Sequence, residues 1–180
     1  MHERTRRLGL VDAGICERLL AEALRREFTP HARGKHARTG PLRHGETAHI
    51  LELTPTGRAV CADNQRHFPV FKSFVESVFG AWKIGKSYWH RLKAGKAIYR
   101  HIDCGDYYDR THRFQLFPRA DAGHVALLDG AEERFASRTL LAFDPSVPHA
   151  YENRSDKECV FLVFDLYPGN YRQPSFASER

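Results

Sequence analysis

Cysteine is scarce in this 180-residue chain, and the four that occur stand far apart, at Cys16, Cys61, Cys104 and Cys159. None belongs to a CxxC pair, which argues against a structural zinc ribbon and a disulfide framework and suits a reducing compartment. Long apolar runs are missing too. No stretch approaches the 18 residues a membrane helix needs, so no membrane span is expected. The first ten residues, MHERTRRLGL, are basic with no apolar segment behind them, so no secretory leader is visible and a cytoplasmic location is expected. No Ser-His-Asp or Cys-His arrangement points to nucleophilic catalysis.

What is present is the composition of a globular protein: 42% hydrophobic and 28% charged residues. The length suits a single domain over residues 1–180 with one good core. The formal charge is +6, and residues 1–45 hold ten Lys/Arg against five Asp/Glu, nearly the whole excess. A solvated surface accounts for such a stretch, and an acidic protein partner is the functional alternative. Aromatic residues do not interleave the basic run, so the stacking platform that single-stranded nucleic acid requires is not indicated.

Residues 12–28, DAGICERLLAEALRREF, repeat apolar side chains at helical spacing (Ile15, Leu19, Leu20, Ala23, Leu24), with Asp12 placed to cap the helix. The Gly-, Pro- and His-rich stretch that follows reads as a long loop, and AHILELT reads as a strand. A second helix is predicted over 66–82, burying Phe71, Phe74, Val75 and Val78. From Lys86 the pattern changes to eight short β-rich runs punctuated by Gly, Pro, Asp and Asn. These predict a mainly β protein, an antiparallel sandwich or jelly roll over residues 86–168, with the helices of a helical and loop part at 1–85 packed on one sheet.

Within the β region, YRHID is the segment with the clearest chemical content. On a regular strand Tyr99, His101 and Asp103 share one face while Ile98, Arg100 and Ile102 share the other. An imidazole and a carboxylate side by side can chelate a divalent ion. His149, in TLLAFDPSVPHAYENRSD, follows a strand and a Pro-bearing turn, and would complete a two-histidine, one-carboxylate triad of the kind that holds Fe(II) and leaves coordination positions open. HxD alone is a weak pattern, and a surface HID with an ordinary loop histidine is the competing account.

The order of segments is more specific than the motif. RLKAGKAIYRHID has Gly95 six residues before His101; HRFQLF, TLLAFDPSVPHAYENRSD and VFLVFDLYP follow. Over residues 86–168 this order resembles the aspartyl/asparaginyl β-hydroxylase family and its proline-hydroxylating relatives. The resemblance implies a double-stranded β-helix of cupin-like type, an Fe(II) centre and 2-oxoglutarate as cosubstrate. It also implies His101, Asp103 and His149 as iron ligands. Residues 1–65 carry little of the likeness.

The sequence departs from the family pattern at one position that matters. An arginine usually stands ten residues after the second metal histidine to hold the distal carboxylate of 2-oxoglutarate, assisted by a histidine on the basic-x-polar strand. Here the first position is Cys159, and the strand HRFQLF offers Arg113 and Gln115. A neutral thiol cannot replace a forked guanidinium. Another cation is then required, among Arg113, Arg110, Arg100 and Arg154, unless the acid is different or turnover has been lost. Arg113 with Gln115 is the favoured pair, and reading Arg110-Thr111-His112 as the basic-x-histidine segment is the other register. His90, eleven residues before His101, falls where family members contact the keto-acid end, although a core histidine fits equally. Arg110, Arg100 and Tyr107 are the candidates for binding an amino-acid-type substrate, free, carrier-bound or in a polypeptide. Two other classes stay open: a jelly-roll module that binds metal without turnover, and a basic adaptor acting through residues 1–45.

Overall fold

The computed structural model describes residues 5–30, 48–52 and 68–169. Strand β1 (Thr5–Leu10) leads into helix α1 (Ala13–Leu24) and strands β2 (Thr29–Pro30) and β3 (Ala48–Glu52). Helix α2 (Pro69–Phe79) precedes eight further strands: β4 (Lys83–Leu92), β5 (Ala97–His101), β6 (His112–Phe117), β7 (His124–Leu128), β8 (Ala131–Glu133), β9 (Thr139–Phe143), β10 (His149–Asn153) and β11 (Cys159–Tyr167). They form a seven-stranded sheet in the order β1-β9-β6-β11-β4-β3-β2 and a four-stranded sheet in the order β5-β10-β7-β8. Every pairing is antiparallel. This is the jelly-roll sandwich expected from the sequence. The predicted strand AHILELT falls on β3, whereas most of the Gly-, Pro- and His-rich stretch before it lies outside the described residues.

Strand β11 shows how the layers are built. Its alternate residues Leu162, Phe164 and Leu166 pack with the helices, while Cys159, Phe161 and Val163 pack between the two sheets. A central strand buried on both faces reads as an almost continuous apolar run, and its one charged residue, Asp165, is fully buried.

Both helices lie on the outer face of the larger sheet. The side chain of Asp12 accepts the Ile15 N–H at 3.1 Å, the N-cap bond that starts α1. Cys16, Leu19, Leu20 and Ala23 form its buried stripe, and Leu24 is exposed. Helix α2 has no cap of its own at Phe68; instead Glu22 of α1 accepts the Val70 and Phe71 N–H groups at 2.8 and 3.1 Å. A carboxylate from one helix thus satisfies the open amides of the next and sits at the positive end of its dipole. Val78 is half exposed, not buried as the helical stripe predicts, because α2 turns only Phe71, Phe74 and Val75 fully inward.

Strand β1 was not expected. Its sequence, TRRLGL, has no alternation and its side chains are almost all exposed. It is held by backbone pairing to β9 at the sheet edge, which leaves no hydrophobic signature.

Candidate metal centre

The end of β5 and the start of β10 meet in register, with His101 opposite His149 and the two ring centroids 4.2 Å apart. One ligand atom from each of His101, Asp103 and His149 lies within 4.8 Å of the others, the one such grouping found among the described residues. The Nδ1 of His101 lies 2.9 Å from the Tyr99 carbonyl, and that of His149 lies 2.8 Å from the Val147 carbonyl. In each case the partner sits two residues back. A carbonyl accepts only from a protonated Nδ1, so each bond assigns the proton there and leaves the Nε2 lone pair for a ligand.

Strand alternation is not what brings Asp103 to the histidines. Strand β5 ends at His101, and an irregularity between the His101 and Ile98 pairings turns Ile98 into the core, where it is 2% exposed. The expectation that Ile98 faces away from His101 is therefore corrected by a bulge. Asp103 stands beyond the strand, held by its N–H to the Pro145 carbonyl at 2.9 Å. The turn carrying the first two candidate ligands is thus tied to the turn that precedes His149.

Arg113 organises the next layer. It is 3% exposed and donates Nε and Nη2 to the two oxygens of Asp165, at 2.8 and 3.0 Å, while Nη1 reaches Asp103. Burial works against the Asp103 charge, but the Arg113 guanidinium, with help from His101 and His149, holds its carboxyl below the ordinary range. Burial and the neighbouring His101 push His149 down to about 4. The three donors are therefore poised as a carboxylate and a neutral imidazole beside a second imidazole, the forms that bind a cation.

The remaining sequence candidates take different places. Gln115 shares the inner face of β6 with Arg113 and donates its amide N–H to the Tyr151 hydroxyl. His90 lies on β4 with its ring against Phe161 and Tyr88, at 4.9 and 5.0 Å between centroids. Tyr107 forms a wall: its hydroxyl accepts the Lys86 N–H at 2.6 Å. Arg110 follows it on a short 3-10 turn, near Asp106 at 4.0 Å, and Arg100 faces solvent. Arg154, the other cation weighed, is turned outward and paired with Glu132 and Glu152. Cys159 is buried in the inter-sheet core, its thiol pushed up to about 12 by burial.

Sequence reasoning missed three contributors. Asp165 had a signal, a lone acid in an apolar strand, since a fully buried carboxylate needs a partner. Tyr151 and Lys86 carried none, because each looks like an ordinary strand residue.

A two-sheet antiparallel sandwich with a His-Asp-His grouping at one end defines a jelly-roll fold that carries a candidate metal site. The family model for aspartyl/asparaginyl beta-hydroxylase matches residues 22–168, and the chain belongs to that hydroxylase family. No curated protein matches the sequence significantly. Among solved structures, a 2OG-Fe(II) oxygenase family oxidoreductase from Burkholderia pseudomallei superposes with a TM-score of 0.66 at 14% identity, covering 91% of this chain and 84% of that one. The viral collagen prolyl hydroxylase of Paramecium Bursaria Chlorella virus-1, solved with 2OG, gives 0.56 at 14% identity, covering 93% and 97%. A Pseudomonas putida prolyl-4-hydroxylase gives 0.55 at 17% identity, covering 93% and 94%. At these identities the likeness is one of fold. No described helix is long and apolar enough to cross a membrane.

Proposed function

We propose that the protein is an Fe(II)- and 2-oxoglutarate-dependent dioxygenase that hydroxylates an amino-acid-type substrate. The observation that carries this reading is the triad: two imidazoles with Nδ1 held by backbone carbonyls and one ionised carboxylate, all within 4.8 Å. Two nitrogens and one oxygen on one side of a site are the donor set suited to Fe(II) with positions left open. When bound, iron with 2-oxoglutarate and oxygen supplies the oxidising power for an unactivated C–H bond.

The chain's own residues bind, orient and shield. His101, Asp103 and His149 are the proposed ligands. Arg113 fixes Asp103 from behind and ties it to β11, and its guanidinium is proposed to face a ligand oxygen as well. Gln115 and His90 are proposed to continue the polar wall along the cosubstrate. Tyr107 is proposed to line the mouth, with Arg110 and Arg100 receiving the substrate's carboxylate. The sheets exclude water from the inner side, where Phe143 packs edge-on against His149 at 4.9 Å.

The test is succinate formation after anaerobic Fe(II) loading and addition of oxygen and 2-oxoglutarate, with amino acids and short peptides as substrates. Iron uptake with no succinate under any of them would instead favour a metal-binding module, a reading that Cys159 at the usual arginine position supports.

A further inference from the structure

Lys86 lies where β4 departs from regular pairing, opposite Asp165, so that two β4 residues stand against one of β11. Its Nζ sits 4.1 Å from the centroid of the Tyr107 ring and 4.7 Å from that of Tyr108, and it approaches the Tyr108 hydroxyl at 3.4 Å. The two rings meet edge to face, 5.1 Å apart at 88°. Tyr108 is shared: the Arg113 guanidinium carbon also lies over its ring, at 5.0 Å. Contacts thus run unbroken from candidate ligand Asp103 through Arg113 and Tyr108 to Lys86.

This ammonium is half-buried, and among the described residues no carboxylate lies within ion-pair distance of it. Burial lowers its pKa, and Asp165 and Asp103 act on it only from beyond contact. Aromatic faces offset part of the desolvation of a cation but do not neutralise it. Asp103 and Asp165 balance Arg113 and Lys86, so the cluster is neutral as it stands. A divalent metal on the triad makes it doubly positive, and a dianion restores neutrality. A 2-oxo dicarboxylate carries that charge, and no cation stands at Cys159 to take its far end.

We propose that Lys86, caged by Tyr107 and Tyr108, is the anchor for a ligand carboxylate beside the metal triad, with the second carboxylate of the 2-oxo acid as its occupant. The assignment rests on the cosubstrate reading above. It gives the chain a cation in place of the missing arginine, delivered from β4 rather than β11.

Calorimetric titration of the Zn(II)-loaded protein tests it, with 2-oxoglutarate and with pyruvate, which lacks the second carboxylate. Lys86→Met is expected to weaken 2-oxoglutarate at least ~10-fold, the loss of a charge-assisted contact, and to leave pyruvate within about twofold. Lys86→Arg is expected to recover part of the loss, and zinc stoichiometry with an unchanged melting profile shows that the variants are folded. The Lys86 ε-carbon NMR signal, titrated with acetate with and without 2-oxoglutarate, separates the sources of the carboxylate. A response abolished by 2-oxoglutarate supports the cosubstrate as occupant. One that persists beside bound 2-oxoglutarate, with the Met variant binding it normally, overturns that occupant and assigns the anchor to the substrate's carboxylate. No response to acetate or 2-oxoglutarate, with unchanged affinities, overturns the anchor altogether. Wild-type protein that binds zinc but no 2-oxo acid overturns the cosubstrate reading and that occupant together, while the acetate arm still decides whether Lys86 holds a carboxylate.

Discussion

Arg113 and Asp165 form a fork-on-fork pair, with bonds of 2.8 and 3.0 Å from β6 to β11 and both side chains closed to solvent. The pair sits one step behind Asp103, so what it holds in place is a candidate ligand. A buried pair of this kind adds little net stability against an apolar replacement, but losing one partner strands a charge.

Removing either partner is therefore expected to be severe. Asp165→Asn and Arg113→Met should each destabilise the fold by about 3–5 kcal/mol in urea denaturation. The double variant should be less destabilised than the two effects summed, because neither charge is then left alone. Additive effects would show that the pair is not coupled.

The triad predicts a divergence between metal affinity and folding. His101→Ala and His149→Ala should lower Fe(II) or Zn(II) affinity by well over ~100-fold, beyond the effect of disturbing an outer-shell partner. Asp103→Ala should do the same and also free the Arg113 Nη1. Equilibrium dialysis with metal analysis measures the first, and circular dichroism checks that the sheets persist.

Gly85 sits against the site wall. A Cβ added there would lie 2.5 Å from the Tyr107 hydroxyl and 3.0 Å from the Asp165 carbonyl oxygen, which is backbone. Gly85→Ala should cost about 1–3 kcal/mol, as other overpacking changes do. It should also displace Tyr107 from the Lys86 N–H it accepts, which thermal denaturation combined with amide exchange at Lys86 would detect.

His124 gives a pH dependence away from the metal centre. Its Nδ1 accepts the Asp121 N–H at 3.1 Å, and its buried Nε2 has no hydrogen-bond partner among the described residues. Burial lowers its pKa below 6.5, against an opposing pull from Asp121. A base with a depressed folded pKa contributes stability that is complete above the unfolded value and lost as pH falls through the folded one. The apo protein should therefore weaken as pH drops below about 6.5, and His124→Gln should flatten part of that acid limb in denaturant melts. The change in slope is a fraction of the ~1.4 kcal/mol per pH unit of a whole proton, because solvent screens part of the ring.

Local pattern was enough for the elements that bury a face. Alternation and turn residues announce seven of the eight strands from β4 to β11, the run ERFAS overlapping β8 only at Glu133, and a capped apolar stripe announces α1, because burial imposes a period on the sequence. The order of the HID, FD-turn-His and apolar-D segments also marked the three candidate ligands. Strand β1 escaped because backbone pairing at an edge asks nothing of its side chains.

The sequence by itself determined a β sandwich, since burial imposes a period on its strands, and the order of its segments marked His101, Asp103 and His149 as candidates. Only the tertiary structure decided how Asp103 is held near the histidines, beyond the end of β5 and by the bond of its N–H to the Pro145 carbonyl. It also decided what Arg113 does. From sequence it was one candidate cation for a cosubstrate; in the fold it is paired with Asp165 and Asp103. The partner lies 52 residues away on a neighbouring strand, and a charge's allegiance is set by which opposite charge is buried beside it.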